Sequence, residues 1–110
     1  MSTVQRLPVE YRTDAVEDIE RLFDDVLQAS SDAVTAARFT DRVFERCEKI
    51  GDAPFGGVSR DDLGPSIRIV PFERKAVILY VVENQVVWIT NVFWGRRDYA
   101  AVLGQTLKDE

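Results

Sequence analysis

Three β-rich runs follow one another between residues 67 and 94, and two amphipathic helical segments precede them; no other feature constrains the fold as strongly. Ala76-Val77-Ile78-Leu79-Tyr80-Val81-Val82 and Val86-Val87-Trp88-Ile89-Thr90-Asn91-Val92-Phe93-Trp94 are too rich in β-branched and aromatic residues for ordinary helices. The first of the three covers Ile67–Phe72, with a turn at Glu73-Arg74 before Lys75–Glu83. A tight turn at Asn84-Gln85 then leads to Val86–Trp94. Connections this short make an antiparallel meander. Helices grouped first and strands grouped after them is the α+β order, not the alternation of α/β folds.

Upstream, Leu7, Val9 and Tyr11 alternate with polar neighbours and predict a short first strand, which Pro8 assigns to a sheet edge. Thr13 or Asp14 can cap the first helix, and Asp14 with Glu17 fits a capping box. Its apolar stripe is Ala15, Ile19, Leu22, Phe23, Val26 and Leu27. The pattern breaks at Gln28–Ser31, and Ser31 or Asp32 can cap a second helix. The stripe of that helix is Ala33, Ala36, Ala37, Val43, Phe44, Cys47 and Ile50, with Phe39 off the main line and Gly51 as a left-handed cap. The short link predicts an αα-hairpin. Residues 51–65, with four glycines and two prolines, read as a loop, longer than most connections in a compact domain. The expected architecture is β-α-α-β-β-β: a helical hairpin packed on an antiparallel sheet, with a short C-terminal helix capped by Asp98 and carrying Tyr99, Val102 and Leu103 on one face. One domain over residues 1–110 is expected from the length.

The chemistry open to the chain is limited by what it lacks. It has no histidine and one cysteine, Cys47. That removes the commonest general base, Ser–His and Cys–His nucleophile pairs, an internal disulfide and a structural zinc site. No metal or cofactor is expected. No apolar run reaches the roughly 18 residues of a membrane span, and the N-terminus has no signal-peptide pattern. A cytoplasmic protein with no membrane partner is expected.

The net charge is −5. Residues 1–66 hold 8 Lys+Arg against 14 Asp+Glu, a net of −6; residues 67–110 hold 6 against 5, a net of +1. The acidic excess therefore sits on the helical half, either as a solvated face or as a surface for a basic partner segment. A protein whose whole surface tracks nucleic acid is disfavoured.

Cationic candidates gather near the sheet. Arg68 opens the first meander strand, and Arg96 and Arg97 leave the last, with Tyr99 close by. Strands one and three of a meander run in the same direction, which places Arg68 and Arg96 toward opposite ends. Arg97 before Asp98 suits either an internal ion pair or a helix cap, whereas Arg96 is the better exposed contact. Trp88 and Trp94, six apart, are predicted to share a face with Thr90 and Val92 and to pack beneath the helices.

Taken in order, Ala15-x-x-Asp18-Ile19, the helical hairpin through Ile50, Pro54-x-x-Gly57, Asp62-Leu63-Gly64-Pro65-Ser66-Ile67-Arg68, Val77-Ile78-Leu79-Tyr80-x-Val82 and Val92-x-x-Gly95-Arg96-Arg97-Asp98 resemble the ParE branch of the ParE/RelE toxin superfamily of type II toxin–antitoxin systems. The resemblance spans nearly the whole chain. It implies a toxin, of the kind associated with plasmid stabilization, held in a hetero-oligomer by a ParD-like antitoxin that covers the helical hairpin and the sheet edge. Released, it would inhibit DNA gyrase by protein–protein contact, without direct sequence-specific nucleic-acid binding of its own. On this reading Ile19, Leu22, Phe23, Phe39 and Val43 are the candidates for antitoxin contact, and Trp94, Arg96, Arg97 and Tyr99 for target contact.

The RelE branch implies the alternative, a ribosome-dependent mRNA endoribonuclease with Arg68, Arg96, Arg97 and Tyr99 around the scissile phosphate. Such cleavage needs a base, an acid and cations. The missing histidine, the scarcity of sheet lysines and the acidic surface favour the ParE branch. A non-toxic remnant that only binds antitoxin is the third reading.

Overall fold

The stripe spacing of the two amphipathic segments produces two 18-residue helices, and the β-rich runs produce the sheet they cover. The computed structural model describes residues 6–73 and 76–94. The elements are β1 (Val9–Tyr11), α1 (Thr13–Ser30), α2 (Ala33–Ile50), β2 (Val58–Ser59), β3 (Arg68–Phe72), β4 (Ala76–Glu83) and β5 (Val86–Trp94). One five-stranded sheet runs β1-β5-β4-β3-β2. The α+β architecture stands as expected; the C-terminal helix expected from Asp98 lies outside the described residues.

The sheet is mixed where a purely antiparallel one was expected. The meander β3-β4-β5 is antiparallel, but β1 pairs parallel to β5, with Val9 opposite Val87 and Tyr11 opposite Ile89. Pro8 sits beside the β1 edge, where its missing N–H matters least, and its carbonyl accepts from the Val87 N–H at 2.9 Å. At the other edge, β2 is a two-residue pairing within the 51–65 stretch, with Val58 opposite Ile69 and Ser59 opposite Arg68. Two residues carry no readable alternation, so composition alone reads them as loop.

Helix ends also differ from expectation. Arg12 is the N-cap of α1, and no side chain caps it, so the Asp14–Glu17 box does not supply the cap. The start is set instead by the sheet: the Arg12 N–H donates to the Ile89 carbonyl (2.9 Å), and the Arg12 carbonyl accepts from Val16 N–H (3.1 Å). Ser31, not Gly51, takes the left-handed position (φ 56°), and its N–H closes on the Leu27 carbonyl. Asp32 then caps α2, accepting from the Val34 N–H at 3.0 Å and the Thr35 hydroxyl at 2.8 Å. Gly51 is right-handed (φ −59°) and is needed for a different reason: a Cβ there would collide with the Leu7 carbonyl.

The buried face of α2 is Ala36, Phe39, Thr40, Val43, Cys47 and Ile50. This corrects the sequence stripe. Ala33, Ala37 and Phe44 face outward, and Phe39 turns inward to meet Phe72 and Trp94 edge-on, at 5.7 and 5.3 Å between ring centroids. Phe44 instead rests edge-on against Tyr11 on the rim. The main core lies between helices and sheet, and Ile78, Tyr80, Val87 and Ile89 are fully enclosed in it. A smaller cluster of Leu63, Ile69, Leu79 and Phe93 covers part of the opposite sheet face.

The β4–β5 hairpin closes through Asn84 and Gln85, both at positive φ (52° and 63°), the geometry of a two-residue primed turn. Along the ladder, Leu79 faces Asn91 but Tyr80 faces Ile89, so Thr90 is an extra residue in a β-bulge. The bulge resets the alternation. Val87, Ile89, Val92 and Trp94 all face the helices, and Trp88 does not. The expectation that the two tryptophans share a face therefore fails: Trp94 packs on Phe39, while the Arg12 guanidinium lies 5.0 Å from the Trp88 ring.

At this bulge α1 is fastened to the sheet. Asp18, only 8% exposed, accepts from the Val92 N–H (3.0 Å) and the Asn91 amide (3.4 Å), and its other oxygen accepts from Arg21 (3.1 Å). A backbone donor displaced by a bulge needs such a partner when buried. Asp18→Ala should lower unfolding stability by about 1–3 kcal/mol, as expected for an orphaned buried donor. Asp24→Ala, on the exposed side of α1, should change it by less than about 0.5 kcal/mol. Urea denaturation of the two variants makes the comparison.

Candidate functional site

Arg68 is the one candidate of the cationic set within the described residues; Arg96, Arg97 and Tyr99 lie outside them. Its surroundings are built by the 51–66 loop folding back over β3 and β4. The hinge is Tyr80, fully buried on β4, whose hydroxyl donates to the Pro54 carbonyl (2.8 Å) and accepts from the Gly57 N–H (3.0 Å). A Cβ on Gly57 would stand 2.6 Å from that hydroxyl, so the Pro54-x-x-Gly57 motif is the close approach of a loop to one tyrosine.

Arg68 continues the same clasp. Its Nη1 donates to the carbonyls of Phe55 (3.1 Å) and Gly57 (2.8 Å), and its guanidinium lies 5.2 Å from the centre of the Phe55 ring. Beside it opens a cleft of about 200 Å³ lined by Phe55, Ser59, Asp61, Ser66, Arg68 and Val82. The far wall is a tight turn: the Arg60 N–H donates to the Ile67 carbonyl (2.7 Å), with Gly64 (φ 155°) and Ser66 (φ 62°) at positive φ. Arg60 grips the Asp62 carboxylate through both oxygens, which holds its pKa below the usual carboxylate value. Leu63 anchors the turn in the smaller cluster.

The expected antitoxin-contact residues are distributed differently. Ile19, Leu22, Phe39 and Val43 are 0–4% exposed, inside the core, and Phe23 is half-buried against it. Their apolar surface is already covered by the sheet, because both helices turn these positions inward. Trp94, expected at the target face, is half-buried against Phe39. Among the described residues, the large apolar side chains that face solvent are Val16, Val34, Phe44, Phe55 and Val58, with Phe55 at 65% and Val58 at 62%. Sequence periodicity passed over Val16 and Val34 because they lie off the apolar stripes.

Two groups with conspicuous chemistry are structural. Cys47 is enclosed, and burial, reinforced by the charge of Glu48, pushes its thiol up to about 12. Burial, and then its hydrogen bond to Glu48 (2.8 Å), raises the Tyr11 phenol above its ordinary value. Neither is poised as a nucleophile or base near neutral pH.

A family model for the ParE toxin of type II toxin–antitoxin systems, parDE, matches residues 9–99. The chain belongs to the ParE toxin family. Its fold agrees with a chain of the chromosomal ParDE toxin–antitoxin system from P. aeruginosa, with a TM-score of 0.72 at 14% identity, covering 84% of this chain and 99% of that one. No curated protein matches the sequence. Within this ParE-family chain, the clasp joins three of the motif pieces, Pro54-x-x-Gly57, Arg68 and Tyr80, that lie far apart in sequence.

The raised Cys47 pKa fixes the sign of a pH effect. A thiol held protonated in the fold contributes stability that is full below its unfolded value near 9, and this is lost as pH rises through the folded value. Unfolding stability of the wild type should therefore fall between about pH 9 and pH 12 by more than that of Cys47→Ala. The native thiol should also react with a disulfide reagent at pH 8 only as fast as the protein opens.

Proposed function

We propose that this ParE-family toxin acts by protein–protein contact in the cytoplasm: a ParD-like antitoxin holds it silent in a hetero-oligomer, and the free toxin inhibits DNA gyrase. The observation that carries the reading is the family match over residues 9–99. The chemistry of the chain supports it. There is no histidine to serve as a base. The described arginine of the nuclease set has one terminal nitrogen committed to two loop carbonyls, and a carboxylate, Asp61, lines the same cleft. A phosphate-cleaving centre concentrates cations with an acid and a base; a carboxylate in the cleft wall works against the first requirement. Inhibition by contact needs only a complementary surface, and exposed Phe44, Phe55 and Val58 offer apolar anchors for one.

In a supercoiling assay with purified gyrase, the toxin should block the reaction or trap cleaved DNA, and stoichiometric antitoxin should relieve the block. Cleavage of mRNA in the presence of ribosomes, with gyrase unaffected, would replace this reading with the RelE-like one. Antitoxin binding without any effect on growth would identify the non-toxic remnant.

A further inference from the structure

The Arg68 cleft has the build of an anchor for one acidic side chain on a protein chain. Arg68 is half-buried in a cross-strand row, opposite Ser59 on β2 and Tyr80 on β4. Its Nη1 is tied to the carbonyls of Phe55 and Gly57, and the Phe55 ring lies against its guanidinium. Among the described residues its Nε and Nη2 hydrogens meet no acceptor. One side of the guanidinium is thus fixed by the loop, while the other keeps paired donors for a carboxylate. Because the loop already holds the group in place, little side-chain freedom is left to lose on binding.

The rest of the cleft decides between classes of anion. About 200 Å³ holds the end of one acidic side chain, since about 10–15 Å³ on the same measure admits a water. The Ser59 and Ser66 hydroxyls can add donors, and Phe55 and Val82 suit the side chain's methylenes. Asp61 on the wall repels any anion, a polyanion more than a single carboxylate, and can accept an amide N–H from, or pair with a cation on, the same incoming segment. The net charge of −5 acts in the same direction. A nucleic-acid strand would bring one charge per nucleotide into this field, and a protein segment can bring a single one.

We propose that this cleft anchors an Asp or Glu side chain of the antitoxin, which lies across exposed Phe55; the proposal rests on the antitoxin pairing proposed above. The test measures the affinity of purified cognate antitoxin for wild-type toxin, Arg68→Gln and Ser59→Asp. Arg68→Gln removes the cation. Ser59→Asp leaves Arg68 and its carbonyl tethers in place and offers it an internal carboxylate, so it tests the site even if the glutamine variant loosens the loop. Both should weaken binding by about 10- to 100-fold, with less loss at high salt, and Ser59→Asp should do so with a thermal transition like that of the wild type. Unchanged affinity in both cleft variants, with wild-type binding intact, overturns the anchor and leaves the pairing standing. No binding by the wild type overturns the pairing itself and the anchor with it. Arg68-dependent binding of a 12-nucleotide RNA, with antitoxin affinity unaffected, would reassign the cleft to nucleic acid.

Discussion

The hydrogen bond from the Val92 N–H to Asp18 is the contact on which the arrangement of this fold turns. A carboxylate that is 8% exposed is tolerable only if its oxygens are engaged, and Asp18 engages both. Its backbone partner exists because Thr90 is an extra residue in β5, which re-aims the strand beyond Ile89. The consequences spread outward. With the alternation reset, Val92 and Trp94 lie under the helices and Phe93 joins the opposite cluster. Trp94 in turn receives Phe39, and that contact helps set the rotation of α2. A helix-to-bulge contact thus selects which aromatic residues become core.

This explains which parts of the architecture were legible in the sequence. The two helices, the meander and the edge position of the first strand follow from periods of 3.6 and 2 and from turn residues, and all are present. The bulge leaves no such mark, because Trp88-Ile89-Thr90-Asn91-Val92-Phe93 has no clean alternation in which a slipped residue would show. The choice between Phe39 and Phe44 fails for a related reason. Each fits a helical stripe rotated slightly from the other, and only the positions of Phe72 and Trp94 across the interface decide. Ile19, Leu22 and Val43, expected at a partner surface, are interior although they lie on the stripes the periodicity predicts. An amphipathic stripe announces that a face will be covered, and the sheet of the same chain covers this one.

The candidate site was legible in its parts and not in its assembly. Pro54-x-x-Gly57, Arg68 and Tyr80 were each singled out from the sequence. What joins them is the buried Tyr80 hydroxyl, which binds Pro54 and Gly57 from 26 and 23 residues away. A loop of roughly 15 residues would ordinarily be a mobile connection. Here it is held by Tyr80 in the floor, Arg68 from the strand and Leu63 beneath the turn, so the cleft between them has fixed walls. The two-residue strand β2 belongs to the same device: it presents Ser59 opposite Arg68.

The electrostatics of the molecule then separate two scales. At long range the chain is acidic, most heavily in its first 66 residues, and in salt such a field is felt over about one Debye length, roughly 8–10 Å. At short range Arg68 presents directional donors within a half-buried cleft, where screening is weaker and geometry governs. A polyanion meets the repulsive field before it reaches those donors. A protein segment with one well-placed carboxylate among neutral or basic neighbours can approach the surface and still use them. Among the described residues the same contrast separates two uses of a cation: one half-buried guanidinium beside a carboxylate suits a single acidic side chain, whereas cutting a phosphodiester calls for several cations with an acid and a base.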